Sequence, residues 1–154
     1  MIYANGKEFV KDFATRTLAN YEKLEIGPFE VTQLINSSIG LLFIPKENSS
    51  IDISDSFIDG NLLQKLKSNV TKNTYPGILD LCQLVRHMRN AIGHGRMEFV
   101  AAHSPYKNKP LEIEAVKLRD QNWKNPKEEF EIELTIDLLR EFFIAFAKGI
   151  IANI

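Results

Sequence analysis

The hydrophobic period of this chain changes at Gly95, and that change limits the possible folds more than any other feature. Up to Gly95, apolar residues recur at helical spacing. After it come short stretches in which apolar and acidic residues alternate, as in half-buried strands, and then a last segment at helical spacing again. A mainly α protein is therefore expected, with a small antiparallel β insertion over about residues 97–135, between a long amphipathic helix and the C-terminal one.

The helices are read as follows. Asn5 to Leu24 carries Phe9, Phe13, Thr17 and Tyr21 at every fourth residue, with Val10, Ala14 and Leu18 beside them and Asn5 as N-cap. Gly27-Pro28 breaks the chain. In Glu30 to Ile44, Val31, Leu34, Ile35, Ser38, Ile39 and Leu42 fall on one stripe, and Pro45 ends the helix. Lys46 to Ser56 is expected as a loop, Phe57 to Ser68 as a short helix with Leu62, Leu63 and Leu66 inward, and Asn69 to Tyr75 as a polar connector. Pro76 suits the first turn of the next helix, which runs to Arg96. Strands are expected over Glu98 to Ala102, Leu111 to Leu118 and Phe130 to Thr135. In the second, Ile113 and Ala115 alternate with Glu114 and Val116; in the third, Phe130, Ile132 and Leu134 face inward, away from Glu131 and Glu133. Thr135 resembles an N-cap, with Asp137 in the first turn. Ile136 to Ile151 is apolar on most of its circumference, so it is either central in the fold or half in an oligomer interface.

Composition excludes several classes. With 154 residues, 44% hydrophobic and 25% charged, the chain has the size and balance of one globular domain, 1–154, able to form a core without staples. A net charge of -1 means that any nucleic-acid site is local rather than a global basic field. The single cysteine, Cys82, sits among apolar residues and reads as a buried structural thiol. No apolar run reaches membrane-spanning length and no signal-peptide core opens the chain, so a cytoplasmic address is expected and the sequons at Asn36, Asn48 and Asn69 read as chance matches. No carboxylates cluster with His or Cys at metal-ligand spacing, so neither metal nor cofactor is expected.

The segment Pro76 to Arg96, PGILDLCQLVRHMRNAIGHGR, carries the candidate chemistry. Ile78, Leu81, Val85, Met88 and Ile92 form its inward stripe, with Arg89 at the edge. Arg86, Asn90 and His94 recur every fourth residue on an adjoining face. No acidic residue occurs between Leu81 and Met97. Arg86 and Arg96 read as phosphate-binding or solvated; His87 reads as solvated, and His103 sits beside a turn. A histidine titrating near neutrality and a guanidinium fork suit phosphodiester cleavage in RNA, where the 2′-OH is a built-in nucleophile. His94 would be general acid or base, Arg89 would stabilise phosphorane charge, and Asn90 would orient His94 or donate to the phosphate. Arg89 and His94, five residues apart, do not share a face of an ideal helix. They could converge through the reach of the arginine, through distortion near Gly93, or across a two-fold axis. The plain alternatives are an Arg89 paired with an acid from another helix and a capping His94.

Arg89-Asn90-Ala91-Ile92-Gly93-His94 resembles the Arg-polar-x-x-x-His motif of the HEPN superfamily, in the variant with Asn after Arg. The β insertion before the last helix resembles a plasmid-encoded prokaryotic subgroup. The likeness is sharpest over Leu79 to Phe99 and weaker over Glu112 to Ile151; the N-terminal half matches only as helices. It implies an HEPN-like helical bundle, a homodimer formed through the motif helix, and a metal-independent endoribonuclease. Arg89, Asn90 and His94 would be its catalytic residues, completed across the two-fold axis. It also implies a toxin or anti-phage role, with RNA as partner and an antitoxin as a possible second one. Tyr106, the one modifiable tyrosine shortly downstream, does not have the spacing of the modified-tyrosine pattern. Some members have lost catalysis and act as modules that bind RNA, nucleotide or a partner protein.

Overall fold

The structure, a computed structural model, describes residues 6–23, 30–47, 51–101 and 113–154. The expected N-cap Asn5, the Gly27-Pro28 break, Asn48, His103, Tyr106 and the outer ends of two expected strands lie outside them.

Helix α1 (Gly6–Lys23) turns Val10, Ala14, Leu18 and Tyr21 inward, while Phe13 on the expected stripe is 36% exposed. Of the expected stripe Tyr21 is thus buried, and the rest of the inward face is made by the neighbours expected beside it, Val10, Ala14 and Leu18. Helix α2 (Glu30–Ser38) runs through a π turn (Ile39–Phe43) into α3 (Ile44–Glu47), so Pro45 does not end the helix. The π turn is the physical reason. The Ile44 N–H bonds back five residues to the Ile39 carbonyl, widening the turn that receives the proline ring. Gly40 in that turn lets α1 come close: a Cβ there would lie 2.1 Å from Thr17 Oγ1.

A short 3-10 turn (Asp55–Phe57) leads to α4 (Gly60–Ser68), N-capped by the Asp59 carboxylate and burying Leu62, Leu63 and Leu66 as expected. The connector after it is a strand, β1 (Val70–Asn73). Helix α5 (Leu81–Gly93) begins later than Pro76. Gly77 has a positive φ of 93°, which no helix contains, and Asp80 is the N-cap, accepting from the Gln83 N–H at 2.8 Å. Ile78, expected on the inward stripe, is 85% exposed.

Strands β2 (Met97–Ala101), β3 (Ile113–Gln121) and β4 (Glu129–Thr135) complete an antiparallel sheet of order β1-β4-β3-β2. Val116, Leu118 and Asp120 of β3 pair with Leu134, Ile132 and Phe130 of β4, and all six are buried. In β3 the expected alternation fails at Glu114. Val100 faces Ala115 while Ala101 faces Ile113, so one extra residue bulges and the side-chain phase flips. Outward, Glu131 accepts from Thr71 Oγ1 and Arg119 Nε; the Thr71 hydrogen bond first, then the arginine, hold its carboxyl below the ordinary range despite partial burial.

Helix α6 (Ile136–Asn153) starts at Thr135, whose Oγ1 accepts from the Leu138 N–H. It meets α1, α2, the π turn, the 3-10 turn, β3 and β4. Its apolar circumference is therefore covered from within the chain, and it is central. Arg140 ties it to α1 and α2 through Tyr21 and Glu30.

The expectation of a mainly α bundle with a small β insertion is corrected. The sheet has four strands, and β1 precedes the motif helix, so the sheet is not an insertion between that helix and α6. Its inner face, with Val116, Leu118, Phe130, Ile132 and Leu134, belongs to the same core cluster as the helices. The motif helix packs between β3 on one side and α3 with the π turn on the other. Among the described residues, no helix is long and apolar enough to cross a membrane.

Candidate functional site

Helix α5 is amphipathic and buries Leu81, Leu84, Val85, His87, Met88 and Ala91. Both of its ends are held by specific bonds. At the start, Asp55 Oδ1 accepts the otherwise orphaned Leu81 N–H at 2.8 Å. At the other end the Arg96 N–H reaches the Ala91 carbonyl at 2.8 Å and the Gly95 N–H reaches the Ile92 carbonyl at 3.1 Å. These two bonds are a Schellman closure with His94 as C-cap and Gly95, at φ 65°, in the left-handed position that glycine takes without penalty. Gly93 faces Phe43 so closely that a Cβ would lie 3.1 Å from Cε1. Both glycines thus have structural duties at the helix end.

Arg89 and Asn90 are brought together. Arg89 Nη1 donates to Asn90 Oδ1 at 2.7 Å, and the guanidinium lies 5.9 Å from the centre of the Phe43 ring. Its other terminal nitrogen pairs with Glu47 Oε1 at 2.6 Å, on the last residue of α3. This is the acid from another helix that the sequence left open. The Arg89 Nε is buried with no partner among the described residues. His94 is exposed at the C-cap, one residue past the helix, and its ring makes no hydrogen bond among the described residues.

Arg86 and Arg96 stand apart from that pair. Arg86 is exposed and donates to Gln83, in a groove of about 610 Å³ lined also by Tyr75, Asp80, His87 and Glu128. Arg96 reaches the Gln121 carbonyl at 3.4 Å, in a second depression of about 530 Å³ over the outer face of the sheet with Lys72 and Arg119. Glu98, Glu129 and Glu131 also line that depression, so it is not uniformly basic.

Sequence reading missed the polar cluster beneath the motif. His87 is not solvated: it is 2% exposed, and its Nδ1 lies 2.8 Å from Asp120 Oδ2. Asn90 Nδ2 donates to the same oxygen at 3.2 Å. The His87 ring is stacked on Phe130 at 4.4 Å and tilted against Tyr75 at 4.5 Å. Burial pulls the Asp120 carboxyl upward, but hydrogen bonds from His87 and Asn90, then the electrostatic pull of His87 and Arg86, outweigh it and hold the group below its ordinary value. Burial, the Asp120 charge and Glu128 push the Tyr75 hydroxyl up to about 12, against the lowering effect of Arg86. The sequence carried no signal for it: Asp120 lies on the inward face of β3 with Leu118, and that phase is set by the bulge at Glu114 in the register with β2. The acid-free run along α5 is thus offset by two acids from distant segments. Cys82 is half-buried, with Lys46 Nζ donating to its sulfur at 3.8 Å. Among the described residues, no three His, Cys, Asp or Glu side chains are grouped to hold a metal ion.

A family model described as HEPN pEK499 p136 matches residues 1–154. No curated protein and no solved structure matches the chain.

Proposed function

The chain belongs to the HEPN pEK499 p136 family, and from that premise we propose that it is an endoribonuclease acting as a homodimer, with Arg89, Asn90 and His94 as the catalytic set. One observation carries this reading. At the C-terminal end of α5, Arg89 is held by a 2.7 Å hydrogen bond to Asn90 while the His94 ring stands exposed on the cap. One group is oriented and the other is free to meet a substrate.

The step needs only groups of the chain and of the RNA. One His94 imidazole takes the 2′-OH proton as that oxygen attacks the phosphorus. The bond to the 5′-oxygen breaks, and an imidazolium returns a proton to the leaving oxygen. Products are a 2′,3′-cyclic phosphate and a 5′-OH. Arg89 donates to the equatorial oxygens as charge builds on them. A second copy joined through α5 supplies the second His94, so that base and acid come from different subunits. Arg86 and Arg96, outside the catalytic pair, would hold flanking phosphates. A cytoplasmic toxin or anti-phage effector restrained by a partner such as an antitoxin suits this activity.

A second reading has its own observation. Glu47 pairs with the guanidinium that catalysis needs. A non-catalytic module holding RNA, nucleotide or a partner protein through the same helix end predicts salt-sensitive binding without turnover.

Incubation of total RNA with the purified protein in the presence of a chelator tests the proposal. Cleavage is expected to leave cyclic phosphate ends and to be lost in Arg89→Ala and His94→Ala. A folded dimer that cleaves no RNA, or variants that cleave as well as the parent, would refute it.

A further inference from the structure

The proposed chemistry leaves the buried group behind the motif unused. Asp120 reaches from β3 to α5, is 5% exposed, and carries a charge that is costly to bury without partners. It has two, His87 Nδ1 at 2.8 Å and Asn90 Nδ2 at 3.2 Å, both on one oxygen.

An ionised carboxylate only accepts hydrogen bonds. Two orientations follow. The His87 Nδ1 must carry the proton, and the Asn90 amide must present its NH2 to Asp120. The Asn90 oxygen is then left facing the other way, where it accepts from Arg89 Nη1 at 2.7 Å. A flipped amide would place its NH2 against the guanidinium and its oxygen against the carboxylate, repulsive on both sides. His87 in turn is held between Phe130 and Tyr75. The chain of contacts runs from a rigid ring in the core, through Asp120 and Asn90, to the arginine at the surface.

We propose that Asp120 is a positioning residue of this site: from the sheet it sets the orientation of the Asn90 amide and, through it, the direction of the Arg89 guanidinium, with His87 as its anchor. For its catalytic consequence the inference rests on the ribonuclease reading. The structural part, control of Asn90 by Asp120, does not.

The test uses Asp120→Asn, Asn90→Ala and the double variant on the full chain. Asp120→Asn is expected to lower kcat by about 10- to 100-fold, as misplacement of a catalytic group does, with a smaller change in KM. The double variant is expected to be no worse than Asn90→Ala alone, because the two residues act through one contact chain. A parental kcat in Asp120→Asn, or losses that multiply in the double variant, overturns the proposal. Should Asp120→Asn not fold, Asp120→Glu keeps the charge while displacing its oxygens; a fall in kcat at near-constant KM is expected there, and parental kinetics overturns the proposal. Solvent exchange of the Asn90 side-chain NH2, followed by NMR, reads the same contact without RNA. It is expected to quicken at least about tenfold in the substituted protein as a protecting hydrogen bond is lost. Should the parent cleave no RNA, the ribonuclease reading falls alone: quickened exchange still supports control of Asn90 by Asp120, and unchanged exchange overturns it.

Discussion

Removal of the Asp120 carboxylate with Asp120→Ala should be among the costliest single changes near the motif. The His87 ring is 2% exposed and loses the partner of its Nδ1 proton. Stacked on Phe130 and against Tyr75, it cannot turn toward water. An orphaned buried donor of this kind costs about 1–3 kcal/mol. Asn90 is half-buried and can recover a water in place of its 3.2 Å bond, adding at most about 1 kcal/mol. A loss of about 1–4 kcal/mol, or roughly 3–15 °C in Tm for a chain of this length, is the expected outcome. The loss should depend on pH. Because the Asp120 carboxyl is held below its ordinary range in the folded chain, the folded state binds fewer protons than the unfolded one in acid. Its contribution is present above the unfolded value of about 3.9 and is lost as pH falls through the lower folded value. Urea unfolding of parent and variant, at neutral pH and at pH below the carboxylate range, measures both effects. A neutral-pH loss under about 1 kcal/mol would refute the reasoning, since it would mean that His87 is satisfied without Asp120. A gap between parent and variant that fails to narrow in acid would refute it too.

Two further perturbations test separate parts of the structure. Gly149 lies where a Cβ would meet the Phe57 carbonyl oxygen at 2.0 Å, a backbone atom that cannot step aside, whereas Gly60 has nothing within 4 Å. Gly149→Ala should therefore lose about 1–2 kcal/mol net, the gain in helix propensity offsetting part of the clash, while Gly60→Ala should gain about 0.5–1 kcal/mol; equal urea midpoints for the two would contradict the packing. In Glu47→Gln the exposed pair with Arg89 is lost, costing at most about 1 kcal/mol of stability. The freed guanidinium should lower KM for RNA by up to about fivefold; an unchanged or raised KM would show that Glu47 does not compete with the substrate.

The legible parts of the fold were those in which one segment answers for itself. The stripe of α4, the alternation of Phe130, Ile132 and Leu134, and the Thr135 cap depend on local spacing, and the structure has them as read. Segments were misread where a distant partner supplies the missing half. Val70–Asn73 shows no strand pattern because it is a short edge strand, exposed except near its start, formed by pairing with β4. Pro45 stays helical because a π turn ahead of it moves the hydrogen-bond register by one residue. The bulge at Glu114 hides the phase of β3, so Val116 and Leu118 look outward-facing until the register with β2 is known.

The candidate site divides in the same way. By itself the sequence determined which residues are the candidates for the chemistry: Arg89, Asn90 and His94 at the end of one amphipathic helix, closed by a glycine, in a six-residue pattern that resembles the HEPN superfamily when taken with that context. The tertiary structure alone decided what surrounds them. It brought Glu47 of α3 to Arg89 and Asp120 of β3 to Asn90, and it buried His87. The physical reason is that a helix sets its own side-chain directions through local backbone bonds. The acids that Arg89 and Asn90 meet come from elements 30 or more residues away, Glu47 for the one and Asp120 for the other, and are placed only when the sheet and helices close on one core.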